Sequence, residues 1–188
     1  MLNISSMKQL FFAISILTSS SAHSNPTLEN SFWGSAAAHA GVNVATLYSI
    51  AAQESGMRWH DGSFRPWPWT LNVNEGKNGI KAGARRYVNK QAAEQALADM
   101  IQKGVRNVDV GLMQVNLHWH GDKVSSPSAL LDPKTNITVA ASYLKDLKTN
   151  NNVSQTVANY HAPSSPVRGK AYVSRVKHYE KIIHEKLQ

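Results

Sequence analysis

Residues 51–56 of the chain read AAQESG and end a stretch with helical periodicity. Apolar residues recur there at the spacing of one helix face: Val44, Leu47, Ile50 and Ala51. At about 100° per residue, Glu54 falls on that same apolar face. Gly56 stands where a helix often ends. The pattern predicts a buried helix whose last turn carries one carboxyl group.

The environment predicted for Glu54 favours the neutral form of its carboxyl group. Burial on an apolar face and proximity to the negative end of the helix dipole both penalise charge, so we expect a raised pKa. A carboxyl group that stays protonated near neutral pH is the general acid that cleavage of a glycosidic bond requires. A glutamate on the inner face of a helix is usually structural, so this segment alone does not establish a catalytic role.

The chain has 188 residues, enough for a single domain with its own core. Residues 1–22 have the features of a secretory signal peptide: Lys8 is basic, residues 10–17 are apolar, and cleavage is expected near Ala22 or Ser24. The apolar run is shorter than the roughly 20 residues that span a bilayer, although a short membrane anchor is the alternative. We expect residues 23–188 to form one exported domain in the periplasm or cell wall, without a stable membrane span.

Charge and cysteine content narrow the choice of partners. The chain has 20 Lys and Arg against 12 Asp and Glu, a formal net charge of +8, and no cysteine. Packing alone must therefore hold the exported fold, because no disulfide can form. The basic charge suits an anionic polymer or a lipid surface. Since the sequence has no basic block with interleaved aromatic residues, we expect no nucleic-acid partner.

Helical periodicity recurs along most of the chain. A short helix is predicted over residues 32–40, and Asn43 is placed to cap the helix that reaches Glu54. Asp132 followed by Pro133 is typical of another helix start. The apolar positions of residues 137–147 form the buried face of this helix. Further helices are predicted over residues 93–101, 153–160 and 173–187.

One segment interrupts this helical pattern. Residues 58–83 are rich in Gly, Pro, Trp and Asn, and Leu71 and Val73 alternate with polar residues as in a strand. Residues 74–79 have the composition of a turn. We therefore predict a mainly α, single-domain fold of the α+β type, with a small β-hairpin or irregular β insert.

Four separated motifs together resemble a known family. They are Glu54-Ser55-Gly56, GLMQVN at 111–116, Asn136-Ile137 with Tyr143-Leu144, and ANYH at 158–161. In this order they resemble the SLT-type lytic transglycosylases of the lysozyme-like superfamily, over most of residues 32–162. The interval between Glu54 and Gly111 is longer than in compact members. In this respect the chain resembles the small transglycosylases that accompany conjugation, type IV pilus and type IV secretion machinery.

The resemblance implies cleavage of peptidoglycan between N-acetylmuramic acid and N-acetylglucosamine, with a 1,6-anhydromuramoyl product. Glu54 matches the family's catalytic glutamate, which protonates the glycosidic oxygen and then accepts the proton of the muramoyl C6 hydroxyl. The implied partners are peptidoglycan strands and components of an envelope-spanning machine. The resemblance implies neither a metal ion nor a cofactor.

The resemblance also implies residues that bind the substrate. Gln114 matches a glutamine of the saccharide groove, and Met113 fits a wall that packs against sugar. Tyr160 matches a tyrosine near the catalytic acid, where its hydroxyl would steady the carboxylate or the N-acetyl group. His161 stands where the family commonly has asparagine, and we expect it to line the groove or to be a capped loop histidine rather than to act as a base.

Several residues keep more than one interpretation. Asp109 either binds backbone N–H groups in the turn before Gly111, contacts substrate, or acts as the second carboxylate of a hydrolysing muramidase. Asn116 shares the groove with Gln114 if the segment is extended, and otherwise caps a helix. Ser55 is a candidate substrate-binding residue because it adjoins Glu54; it either helps to place Glu54 or packs at the helix end.

Aromatic and histidine residues raise further alternatives. Trp67 and Trp69 either stack on sugar faces or close the core beneath the β insert. His118 and His120 have a spacing that can bind metal, but no cysteine or suitably spaced acidic residue accompanies them, so we expect no metal site. A protein that binds peptidoglycan without cleaving it, as part of a secretion apparatus, is the alternative to an enzyme.

Overall fold

The computed structural model describes residues 26–150 and 152–186, and the predicted signal peptide lies outside them. The helices are α1 (Pro26–Glu29), α2 (Phe32–Ala40), α3 (Val44–Ser55), α4 (Lys90–Gln102), α5 (Leu117–His120), α6 (Pro133–Asp146), α7 (Val153–His161) and α8 (Pro166–Lys186). The predicted mainly α fold is confirmed. Among the described helices, none has both the length and the apolarity that crossing a membrane requires.

Two small antiparallel sheets make up the β insert. Strands β1 (Gly56–Arg58) and β2 (Phe64–Pro66) pair as a hairpin. The second sheet has the order β4-β3-β5-β6, with β3 (Thr70–Val73), β4 (Gly83–Arg86), β5 (Val108–Val110) and β6 (Val115–Asn116). The last two strands follow α4 in sequence. They are too short to show a clear alternating pattern, so periodicity did not predict them.

Helix starts follow the predicted capping. The side chain of Asn43 accepts a hydrogen bond from Thr46 N–H at 2.6 Å, and that of Asp132 accepts one from Thr135 N–H at 2.9 Å. Helix α8 begins at Pro166, before the predicted residue 173, because proline is tolerated in the first turn of a helix.

Helix α3 runs through the core of the domain. Its residues Leu47, Ile50 and Ala51 have no exposed surface. It packs against α2, α8 and β2. Glu54 is therefore carried by an element that is surrounded by packed neighbours, which limits the movement of its backbone.

Asn136 joins α6 to the end of β5. Its amide donates hydrogen bonds to Val110 O at 2.7 Å and Leu130 O at 2.9 Å, and its oxygen accepts one from Met113 N–H at 2.8 Å. Gly111 has a φ of 81°, and a Cβ there would lie 2.5 Å from the Asn136 amide nitrogen. Glycine is therefore required at this junction, which fixes the segment that follows β5.

Candidate active site

A groove with a volume of about 970 Å³ passes Glu54 and is bounded by the second sheet, α6 and α7. It brings together six of the predicted site residues: Glu54, Asp109, Gln114, Asn116, Tyr160 and His161. The motifs that lie far apart in sequence therefore face one continuous space. The groove has the concave shape expected of a binding site.

Glu54 presents its carboxyl group to the groove from the last turn of α3. The residue keeps some exposed surface, but its carboxyl group is densely enclosed by protein. The pKa of Glu54 is raised to about 7, mainly by burial. The Tyr172 hydrogen bond and the charge of Arg175 act in the opposite direction, and the charge of Asp109 adds to the increase. The carboxyl group can thus be protonated near neutral pH and can also release its proton there.

Tyr172 of α8 is the direct partner of this carboxyl group. Its hydroxyl donates a hydrogen bond to Glu54 Oε1 at 2.5 Å. The tyrosine ring stacks on His161, with centroids 4.5 Å apart and planes inclined by 5°, and the Arg175 guanidinium lies 5.7 Å from its centroid. These contacts hold the hydroxyl in place against the acid.

The sequence analysis missed Tyr172. Tyr172 lies four residues before Val176, a spacing that places both residues on one face of α8, and both side chains are 1% exposed. That spacing was the sequence feature that indicated burial of Tyr172. A buried tyrosine hydroxyl needs a hydrogen-bond partner, so this position could have been recognised as polar. The partner, however, lies 118 residues away in the sequence.

Replacing Tyr172 with phenylalanine should shift the pH dependence of catalysis. In the wild type, the Tyr172 hydrogen bond lowers the pKa of Glu54. Its removal should raise that pKa and move the basic limb of the kcat/KM profile to higher pH. The maximal rate should fall by about tenfold, since one charge-assisted hydrogen bond is lost. Rate measurements between pH 4 and 9 test this prediction.

Tyr179→Phe is the matched control for this substitution, because Tyr179 lies on the same helix and stacks on Phe64 outside the groove. Its profile should coincide with that of the wild type. A Tyr172→Phe profile whose basic limb stays in place or moves to lower pH would contradict the assigned role.

Asp109 lies on β5 and faces the groove. Its Oδ2 accepts hydrogen bonds from the amides of Asn72 at 3.0 Å and Asn74 at 2.9 Å, and its Oδ1 accepts one from Asn116 at 2.7 Å. The donors are side-chain amides rather than the backbone N–H groups expected for a turn, because Asp109 lies within a strand. Three amide donors hold the carboxylate in a fixed orientation at the groove wall.

Asn116 both lines the groove and caps a helix, the two positions that the sequence analysis gave as alternatives. It ends β6 and lines the groove, where its amide binds Asp109. Its side-chain oxygen also accepts hydrogen bonds from His118 N–H at 3.0 Å and Trp119 N–H at 3.3 Å, at the start of α5. The two roles coexist because an asparagine side chain both donates and accepts.

Gln114 lines the groove and has a left-handed backbone conformation, with a φ of 48°. Its amide donates hydrogen bonds to Gly111 O at 2.8 Å and Thr70 O at 3.2 Å. Its side-chain oxygen has no hydrogen-bond donor among the described residues. That oxygen is therefore available to accept a hydrogen bond from a ligand.

Tyr160 lines the groove. One expectation was that its hydroxyl binds the Glu54 carboxylate, but the hydroxyl has a different partner. Its hydroxyl donates a hydrogen bond to Met113 O at 2.7 Å. Burial raises its pKa well above the ordinary value, so the phenol stays neutral. The hydroxyl that holds the acid belongs to Tyr172 instead.

Ser55 and Met113 do not line the groove, and the expectation that they contact substrate is corrected. Both are fully buried, with 0% of their surface exposed. The Ser55 hydroxyl donates to Leu112 O at 2.7 Å, which ties the end of α3 to the turn after β5. Ser55 therefore helps to place Glu54, and Met113 belongs to the core.

The tryptophans of the β insert have a structural role. Trp67 packs edge-on against Trp69 with centroids 5.1 Å apart, and its indole N–H donates to Tyr87 O at 2.8 Å. Neither ring lines the groove. Trp119 does line it and is 70% exposed, so this ring offers a flat apolar surface to a ligand.

His118 and His120 both lie on the short helix α5. In the part of the chain that the structure describes, no three His, Cys, Asp or Glu side chains form a group that could hold one. The His120 ring packs against Tyr143 with centroids 4.5 Å apart, and burial lowers its pKa. It therefore contributes a largely neutral ring to the groove wall.

Comparison with known proteins identifies the family. The family model of the transglycosylase SLT domain matches residues 31–183, so the chain belongs to this family of the lysozyme-like superfamily. No curated protein and no solved structure matches the chain. Membership indicates lytic transglycosylase activity in general terms.

Proposed function

We propose that the protein is an exported lytic transglycosylase. It cleaves the β-1,4 bond between N-acetylmuramic acid and N-acetylglucosamine in peptidoglycan and leaves a 1,6-anhydromuramoyl end. The observation that carries this proposal is the enclosed carboxyl group of Glu54, with a pKa of about 7, at the wall of the groove. Family membership supports the same class of reaction.

In the first step, neutral Glu54 donates its proton to the glycosidic oxygen. The bond between muramoyl C1 and that oxygen breaks, and the oxygen keeps the electron pair and leaves as the C4 hydroxyl of N-acetylglucosamine. Positive charge develops at C1 and the ring oxygen. The nearby carboxylate of Asp109, on the groove wall, favours this charge electrostatically.

In the second step, the Glu54 carboxylate removes the proton from the muramoyl C6 hydroxyl. The C6 oxygen then bonds to C1, which closes the anhydro ring and returns Glu54 to its neutral form. No water is consumed. A pKa near 7 suits both steps, because one group must donate and then accept a proton at the same pH.

Product analysis tests the reaction. Purified peptidoglycan is digested with the protein, and the released fragments are identified by mass spectrometry. Anhydromuramoyl ends, lighter by one water than reducing ends, are expected. If no fragments are released although the protein binds the polymer, it is a non-catalytic component.

A hydrolysing muramidase is the second candidate, because the structure places a firmly held carboxylate in the groove. Asp109 is oriented by three amides, as a nucleophile or an electrostatic partner of the acid would need to be. This enzyme would release reducing muramic acid ends. We favour the transglycosylase because the family model is that of transglycosylases.

Asp109→Asn separates the two reactions. A transglycosylase closes its ring with a hydroxyl of the substrate, so the variant should still form anhydro ends, with a rate lowered by less than about tenfold. In a muramidase, loss of the second carboxylate should lower the rate by about 10²-fold or more. Rates and product masses are measured together, and Asp99→Asn on the exposed face of α4 is the control.

We further propose that the enzyme opens the wall locally for a transfer, pilus or secretion apparatus. The long interval between Glu54 and Gly111, which contains most of the β insert and α4, supports this association. Deleting the gene should reduce assembly of the apparatus, and complementation with a Glu54→Gln copy should not restore it. Normal assembly in the deletion strain would exclude the role.

A further inference from the structure

A second cavity lies beside the groove, between α7 and the start of α8. It has a volume of about 340 Å³, within the range of roughly 300–1,000 Å³ found for small-ligand sites. Pro163 lines both this cavity and the groove, so the two adjoin at that residue. We call it the side cleft, and its polar lining consists of Asn152, Ser154, Gln155, Asn159 and Lys170.

Two cations mark the path from the groove to the side cleft. Arg168 lines the groove and Lys170 lines the side cleft, and both side chains are exposed. Neither takes part in any of the ion pairs found among the described residues. Burial and the charges of Arg175 and Arg168 lower the pKa of His161, which also lines the groove, so His161 stays neutral beside Arg168. The path therefore offers unpaired positive charge.

The side cleft also offers amide groups. The Gln155 side-chain amide donates to Asn159 Oδ1 at 2.8 Å, which leaves the Gln155 oxygen and the Asn159 amide nitrogen free to bind a ligand. An acceptor beside a donor matches the alternating groups of a peptide backbone. The buried residues Ala158 and Gly169 form an apolar floor between α7 and α8.

The substrate of the proposed reaction carries a ligand of this chemistry. Each intact muramoyl residue bears a short peptide on its lactyl ether, and this stem peptide has free carboxylates. When a muramoyl residue lies beside Glu54, its peptide must leave the groove sideways. The side cleft supplies a way out that is positively charged, lined with amides and next to the groove.

We propose that the side cleft binds the stem peptide of peptidoglycan, with Lys170 and Arg168 contacting its carboxylates. This inference rests on the proposed function, because the peptide reaches the cleft as part of the glycan substrate. The enzyme then prefers peptide-bearing strands to naked glycan.

Cleavage rates on two substrates test the proposal. One is intact, uncrosslinked peptidoglycan strands, and the other is the same strands after an amidase has removed the peptides. The ratio of kcat/KM on the two substrates should exceed one for the wild type and should fall by about threefold to fivefold in Lys170→Gln, as for loss of one exposed ion pair. Lys177→Gln, on the same helix but lining neither cavity, should keep the wild-type ratio.

A binding experiment separates this inference from the proposed reaction. The full chain carrying Glu54→Gln is titrated with a soluble tetrapeptide that contains γ-linked D-glutamate, and backbone amide shifts are followed by NMR. Shifts should cluster at Asn159, Gly169 and Lys170, and Lys170→Gln should weaken binding by a similar factor.

The outcomes distinguish the two ideas. Shifts elsewhere or no shifts, or a wild-type ratio of one, would overturn the stem-peptide site even if both strands are cleaved. If the wild type cleaves neither substrate, the proposed reaction is wrong, and the titration still decides whether the cleft binds peptide.

Discussion

Glu54→Gln is expected to lower the rate of peptidoglycan cleavage by about 10²–10⁴-fold, the contribution of a positioned general acid. Glutamine has nearly the same shape as glutamic acid, and its oxygen can still accept the Tyr172 hydrogen bond. It cannot donate an acidic proton to the glycosidic oxygen, nor can it accept one from the C6 hydroxyl. The fold should therefore remain while both chemical steps fail.

The measurement compares the release of soluble fragments by equal amounts of folded wild type and variant. Glu94→Gln is the matched control, because Glu94 lies on α4 and pairs with Lys90 outside the groove. Circular dichroism checks that each variant is folded. A folded Glu54→Gln variant with more than about a tenth of the wild-type rate would remove Glu54 from the mechanism.

The same substitution should make the protein more stable than the wild type above pH 7. In the folded state the pKa of Glu54 is raised from its ordinary value of 4.5 to about 7, so unfolding releases a proton between these values. The stability that neutral Glu54 provides is complete below pH 4.5 and is lost as the pH rises through 7. The loss amounts to about 3 kcal/mol, and Glu54→Gln avoids it.

Denaturant unfolding at pH 4 and pH 8 measures this effect. The difference in unfolding free energy between variant and wild type should be small at pH 4. It should grow in favour of the variant by about 3 kcal/mol at pH 8. A difference that does not depend on pH would show that the folded protein leaves the pKa of Glu54 at its ordinary value.

Local patterns predicted much of the fold. The burial of Glu54 follows from the apolar periodicity of α3, and the Asn43 and Asp132 caps follow from short-range side-chain chemistry. These features depend on residues within a few positions of one another. For the same reason the composition of residues 58–83 predicted a β insert but not the number of strands.

Contacts between distant segments could not be predicted in the same way. The hydrogen bond between Tyr172 and Glu54 joins α8 to α3. Asp109 is held by Asn72 and Asn74, which lie 37 and 35 positions earlier in the sequence. Nothing in the neighbourhood of either acid in the sequence specifies these partners. They follow from the packing of whole elements.

The orientation of single side chains was also beyond the sequence pattern. Met113 lies in a motif that faces the groove, yet it is fully buried. The positive φ values of Gly111 and Gln114 turn the chain sharply on either side of it. Alternation along an extended strand does not hold across such a turn, so the side chain points inward.

The position of Tyr172 in the final helix has a consequence for biosynthesis. All four motifs that resemble the family lie at or before residue 161, but the hydroxyl that binds the acid belongs to α8, which follows them in the sequence. A chain in which α8 has not yet been synthesised and folded therefore holds an incomplete centre. The complete arrangement of acid and hydroxyl forms only once α8 has packed against α3.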